Sequence, residues 1–170
     1  KNQPHYVPYI FSTTEISTVL YNAQNYVSCM PPMLRNMRNA ISCIFTMLYC
    51  TGMRVSEVLE LKVDEVDLDE GIIPINTAKN DKKRIIPMSE SLIDECRRYL
   101  AASEPSVLSY VYFMDSGSHN NYGHIRNDTV YYYFRKILIK SRIEHKGRGY
   151  GPRVHDIRDS FAVHSLKQLM

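Results

Sequence analysis

Apolar positions return every three or four residues along most of this chain and form β-branched runs only near its middle, so the pattern predicts helices around one short hairpin. Ser12-Thr13-Thr14-Glu15 offers hydroxyl caps and a first-turn acid, and Ile16, Val19, Leu20, Ala23 and Val27 follow on one face, predicting a helix that ends before Pro31-Pro32. A second helix is predicted from about Leu34 to Tyr49, where Met37, Ala40, Ile41, Ile44, Phe45 and Leu48 make a face broad enough for the centre of a core. The chain then turns at Thr51-Gly52 into a short helix with Val55, Val58, Leu59 and Leu61 as its buried stripe. Ile72-Ile73-Pro74-Ile75 and Arg84-Ile85-Ile86-Pro87-Met88 read as the strands of a hairpin, with the internal proline pointing to an edge.

Ser89-Glu90-Ser91 caps a helix running to about Ala102, with Leu92, Ile93, Cys96, Tyr99 and Leu100 inward. A tyrosine-rich extended run from Val107 to Met114 and a Gly/Ser/Asn loop from Asp115 to Gly123 lead to the next cap, Asn127-Asp128-Thr129. The helix it opens extends to about Ser141, with Val130, Phe134, Ile137 and Leu138 packed and Arg135, Lys136, Lys140 and Arg142 outward. Residues Glu144 to Arg153 form a glycine-rich basic loop, and a last helix starts at Val154 with Ile157, Phe161, Ala162, Leu166 and Leu169 as its buried side. The class expected is α+β, mainly helical, with a small antiparallel sheet.

Composition narrows this to one globular unit: 170 residues with 44% apolar content build a core without disulfides or metal. Residues 1 to 11, with Pro4 and Pro8 flanking His5-Tyr6-Val7, read as a linker into the domain that occupies 12 to 170. No apolar run approaches the length of a membrane span, so no membrane role is expected. Cys29, Cys43, Cys50 and Cys96 are scattered without CxxC spacing, as thiols in a reducing cytoplasm are.

The net charge of +3 is modest, but from Arg126 to Arg158 nine basic residues face only Asp128, Glu144 and Asp156. That excess on the second half suits contact with a phosphate backbone, and it equally suits an ordinary solvated face. Lys82, Lys83 and Arg84 on the hairpin, with Arg135, Lys146, Arg148 and Arg153 further on, are the candidate backbone-binding residues.

Arg54 stands on the first turn of the short helix, with Glu57 three residues on to orient its guanidinium. Lys79 lies at or just before the hairpin tip, and His155 and Arg158 share one face of the last helix at i and i+3. Two arginines, a lysine and a histidine from three elements suit a phosphodiester: the guanidiniums donate to the non-bridging oxygens where charge grows, the imidazole positions the phosphate or assists proton transfer, and the amine protonates the leaving oxygen. Taken one at a time they also fit a surface Arg-Glu pair, a capping histidine and a solvated lysine. The six histidines form no HxxxH or HExxH pattern, so no metal is expected.

Thr51-Gly52-Met53-Arg54-Val55-Ser56-Glu57-Val58-Leu59-Glu60-Leu61, then Lys79 in the hairpin 25 residues after Arg54, then His155-Asp156-Ile157-Arg158-Asp159-Ser160-Phe161-Ala162, resemble the catalytic domain of the tyrosine recombinases, or phage integrases. The resemblance covers the chain from about Thr13 to its end. It implies the recombinase catalytic-domain fold, with Arg54 and Arg158 as catalytic arginines, Lys79 as the hairpin lysine, His155 as the histidine of the HxxR box and Glu57 as the acid supporting Arg54.

Members of this family cut double-stranded DNA one strand at a time with a tyrosine, through a 3′-phosphotyrosyl link, and need neither cofactor nor metal. Four protomers usually act together on two duplexes. The resemblance further implies an origin in a mobile element and a place in the cytoplasm of its bacterial host. Two departures stand out: no tyrosine follows Arg158, and Asp159 stands where the family often has a histidine or another non-acidic residue. Residues 12 to 170 are thus expected to be a catalytic domain lacking its C-terminal part, monomeric and inactive by itself, with 1 to 11 the linker from a missing N-terminal DNA-binding domain. The rival expectations are a catalytically silent DNA-binding remnant on the same scaffold and a helical protein-interaction module.

Overall fold

The structure is a computed structural model, and it describes residues 6–26, 35–76, 83–103, 111–114, 124–147 and 150–170. Among the described residues the order is α1 (Thr13–Asn25), α2 (Arg35–Thr51), α3 (Val55–Leu59), a 3-10 turn over Val63–Glu65, β1 (Ile72–Asn76), β2 (Lys83–Pro87), α4 (Glu90–Ala102), α5 (Asn127–Lys140) and α6 (Val154–Gln168). This is the mainly helical architecture with a two-stranded antiparallel sheet that the periodicity predicts.

The longest helix is the centre of the core because its buried apolar residues cover more than half of its circumference. Ala40, Ile41, Cys43, Ile44, Phe45, Met47 and Leu48 of α2 are all buried, and the helix touches α1, α3, α4 and α6. Its one buried polar side chain in that stretch, Ser42, donates to Glu95 Oε1 on α4 at 2.7 Å, and Glu95 also receives Arg98, so the carboxylate is not left unpaired. Cys43 and Cys96 meet in the same α2–α4 seam as free thiols 3.9 Å apart, Cys50 is half-buried, and Cys29 lies outside the described residues.

The starts of α1 and α4 follow the serine caps read from the sequence, whereas α5, expected to be capped by Asn127-Asp128-Thr129, has Arg126 at its cap position with no side-chain cap bond. Ser12 Oγ accepts from Glu15 N at 3.2 Å and Glu15 Oε2 accepts from Ser12 N at 2.8 Å, a reciprocal box that opens α1. Ser89 opens α4 by a single bond, its Oγ accepting from Leu92 N at 3.4 Å. In the hairpin Ile72 pairs with Pro87, Ile73 with Ile86 and Asn76 with Lys83, placing Ile73, Ile75 and Ile86 on the core side. The extended run expected from Val107 is described from Val111, where Phe113 N donates to Leu61 O at 2.7 Å and Val63 N to Val111 O at 3.1 Å.

Two expectations about inward faces are corrected. On α1 the fourth inward position belongs to Asn22, whose amide donates to Ser141 Oγ at 3.0 Å at the end of α5, while Leu20 is half-buried. On α6, Ala162, Leu166 and Leu169 are exposed and the inward residues are Val154, Asp156, Ile157 and Ser160. At 3.6 residues per turn Leu166 falls about 180° from Ile157, so leucine identity misled where geometry does not. The segment expected to be a linker is docked from Tyr6 onward: Phe11 is fully buried, and its N–H donates to Ser160 Oγ at 2.9 Å.

Phe134 is buried between the ring of Phe45, 5.9 Å away, and that of Phe11, 6.5 Å away, so it joins the docked N-terminal segment to α2 and α5. Phe134→Ala is expected to lower stability by about 3–5 kcal/mol. A urea transition shifted to a lower midpoint at unchanged slope would register that loss, and an unshifted midpoint would contradict the packing.

Candidate functional site

The turn that brings α2 into α3 is built without slack. Thr51 Oγ1 donates back to Met47 O at 2.6 Å and accepts from Met53 N at 3.2 Å, which ends α2. Gly52 follows at φ +62°, and a Cβ placed there would sit 2.5 Å from the Phe161 ring of α6. The backbone of this turn therefore packs directly on the ring three residues beyond Arg158. Met53, Val55, Val58 and Leu59 are buried beneath it, and Arg54 emerges from that base with its side chain 55% exposed.

Glu57 is the anchor of Arg54. Its Oε2 accepts from Arg54 N at 2.7 Å and its Oε1 from Arg54 Nη1 at 3.0 Å. The same Oε2 accepts from Arg84 Nη2 at 2.7 Å, so a carboxylate only 7% exposed joins α3 to β2. Burial taken by itself would raise the Glu57 pKa, but the bonds from Arg84 and from Arg54, together with Arg84's charge, outweigh it and hold the carboxyl below its ordinary value of 4.5. Arg84, read from the sequence as a backbone-binding residue, is thus engaged in holding this carboxylate.

At the start of α6, Asp156 is buried and takes two donors on Oδ2: Arg153 N at 2.7 Å and Tyr6 OH at 2.5 Å. Arg153 lies over the Tyr6 ring, 3.3 Å from its centroid, and burial together with the bond to Asp156 raises the phenol to about 12. This pins the turn that carries His155. His155 is exposed, and Arg158, one turn on, is half-buried with its Nη1 enclosed and without a hydrogen-bond partner among the described residues. Asp159 beside it is half-buried and forms no ion pair among the described residues.

The first turns of α3, α5 and α6 border an open cleft of about 390 Å³ lined by Val55, Asn127, Asp128, Tyr131, Arg153, Val154 and His155. Val55, next to Arg54, and His155 therefore line one space. Of the other residues singled out in the sequence, Lys83 and Lys146 are exposed, and Lys79, Lys82 and Arg148 lie outside the described residues. Arg135, expected to face outward, is half-buried, with its Nη1 3.2 Å from His145 Nε2. Sequence reasoning missed Tyr6, Asp156 and His145; only Asp156 had a local signal, its place three residues after the helix cap.

The phage integrase family matches residues 16–170, and the chain belongs to it. The tyrosine recombinase XerA of Thermococcus kodakarensis is 31% identical over 165 residues, covering 97% of this chain and 51% of that protein. The crystal structure of XerA recombinase superposes with a TM-score of 0.73 at 25% identity, covering 99% of this chain and 53% of that one. XerH recombinase bound to its difH substrate shares the fold with a TM-score of 0.70 at 21% identity, over 96% of this chain and 44% of that one. The fold is that of a tyrosine recombinase catalytic domain, and the chain spans about half the length of the relatives it matches.

Glu57→Gln keeps the shape of the anchor and removes its charge. Because the folded pKa lies below the ordinary one, the charge stabilises above the ordinary carboxylate range and its effect is lost as pH falls through the folded pKa. The variant is expected to be less stable at neutral pH by about 1–2 kcal/mol, allowing for its partly exposed partners. Denaturation midpoints of the two chains should converge on acidification below pH 4.5, and a gap that persists there would refute the electrostatic account.

Proposed function

We propose that this chain is the strand-cleaving and rejoining module of a site-specific DNA recombinase of a mobile element. In this reading Arg54 and Arg158 hold the non-bridging oxygens of the scissile phosphate, His155 positions it, Lys79 protonates the departing 5′ oxygen, and Glu57 keeps Arg54 in place. The observation that carries the reading is the enclosed, unpartnered Nη1 of Arg158 one turn from His155, on the helix packed against the Arg54 turn. Nothing among the described residues accepts from this nitrogen, so its hydrogens are left for an oxyanion once the side chain turns toward one.

Lys83, Lys146 and Arg153 expose positive charge suited to the flanking backbone, and Lys82 and Arg148 belong to the same proposal. In the intact parent four protomers would assemble on two duplexes in the cytoplasm of the host, with neither metal nor cofactor, and this piece by itself would be a monomer. The start of the chain, up to residue 11, would lead in from a separate DNA-binding domain.

No tyrosine lies between Arg158 and Met170. On a nicked suicide duplex the 170-residue chain is therefore expected to yield no denaturant-resistant DNA adduct, whereas the parent carrying a downstream tyrosine should yield one. In that parent Arg158→Ala should slow adduct formation by about 10²–10³. An adduct from the 170-residue chain would overturn the assignment of the nucleophile, and a parent that binds duplex yet forms none would favour the silent DNA-binding reading. Lys79→Ala in the parent should reduce cleavage far more than binding, and equal losses would remove its role at the leaving group.

A further inference from the structure

Arg135 lies one turn beyond Tyr131, a residue that lines the cleft beside His155, and the contacts around Arg135 and His145 hold more donors than acceptors. The Tyr131 hydroxyl accepts from Arg135 Nη1 across a long 3.4 Å. The same Nη1 stands 3.2 Å from His145 Nε2, and on the other side of the ring Gly147 N–H donates to Nδ1 at 3.1 Å. The ring is closed in further by Gly151, where a Cβ would come within 2.7 Å of Nδ1.

A neutral imidazole has one N–H and one acceptor nitrogen. If Nδ1 accepts from Gly147, the ring hydrogen is on Nε2 and points at a guanidinium that has only hydrogens to offer. If Nε2 accepts from Arg135, the ring hydrogen moves to Nδ1 and meets the Gly147 N–H. Either tautomer sets one N–H against another. Burial, then the charge of Arg135, holds His145 below its ordinary 6.5, with its own carbonyl opposing in part, so the uncharged ring is the form present at neutral pH. Arg135 has no carboxylate partner among the described residues, and its Nε is enclosed without a hydrogen-bond partner there.

We propose that Arg135 and His145 form a second anion subsite, separate from the phosphate site proposed above for Arg54, His155 and Arg158, that takes a backbone phosphate of duplex DNA flanking the scissile one. The proposal rests on the DNA-cleaving reading and adds His145 to it. A phosphate oxygen beside Nη1 and Nε2 accepts from both and neutralises the unpaired guanidinium. A water molecule also accepts from both, but it brings two more hydrogens into the same space and no charge.

The test uses the 170-residue chain with labelled histidine side chains, titrated first with inorganic phosphate and then with a short duplex. Both probes are expected to shift the His145 Nε2 resonance saturably, and Arg135→Gln to abolish the phosphate response at His145 while sparing that at His155. In duplex binding, Arg135→Gln should reduce the slope of log K against log salt by about 0.9, the value for one phosphate contact. His145→Ala should weaken binding about tenfold at unchanged slope, because a neutral donor displaces no counterion. A His145 resonance indifferent to both probes, with duplex binding intact, would overturn the subsite and leave the DNA reading standing. A phosphate response at His145 in a chain that binds no duplex would instead overturn the assignment to a DNA phosphate, and the DNA reading with it.

Discussion

Glu57 accepts three hydrogen bonds from two elements, and the orientation of the Arg54 side chain depends on it. A single carboxylate fixes the backbone start of α3, the guanidinium that starts there and the Arg84 guanidinium of β2. Each bond taken separately is modest, since both arginines keep solvent-exposed surface. Their sharing of a nearly buried acceptor is what matters: neither arginine reorients without exposing the other's partner. The hairpin is thereby registered against the helix turn that presents Arg54, although the two are far apart in sequence.

The opposite wall is organised by a second buried carboxylate with a different task. Asp156 closes the first turn of α6 through Arg153 N and receives the phenol of Tyr6, while Arg153 covers that ring. The N-terminal segment therefore contributes directly to the stiffness of the turn bearing His155. Ser160 continues the attachment one turn later by accepting from Phe11 N and donating to Asp156 O at 2.7 Å. Docking of the chain's first described residues and placement of the HxxR helix are one structural event.

Much of this was legible in the residues. The 3.6-residue spacing of α2 and α5, the Ser12 and Ser89 caps and the β-branched pair around a basic tip each dictate their element locally. Arg54 and Glu57 were legible as a pair because three residues separate them on one turn. Arg84 as Glu57's second partner was not, because 27 positions intervene and only the fold closes that distance. Tyr6 and Asp156, 150 positions apart, gave still less warning. On α6 the apolar alphabet failed because Ser160 and His164 occupy the inward stripe. Ser160 is satisfied by backbone on both sides, and His164 Nδ1 lies 3.0 Å from the hydroxyl of Tyr49. Arg135 seemed outward by its position on α5, and the covering loop that encloses it has no periodicity to read.

The contact of Phe161 with the bare backbone of Gly52 has a mechanical consequence. An aromatic plate bearing on a peptide with no side chain transmits displacement with almost no give, so the walls carrying Arg54 and Arg158 behave as one solid jaw. Drawing those two walls together is closed to this architecture, so whatever lies between them must fit the spacing the fold already sets.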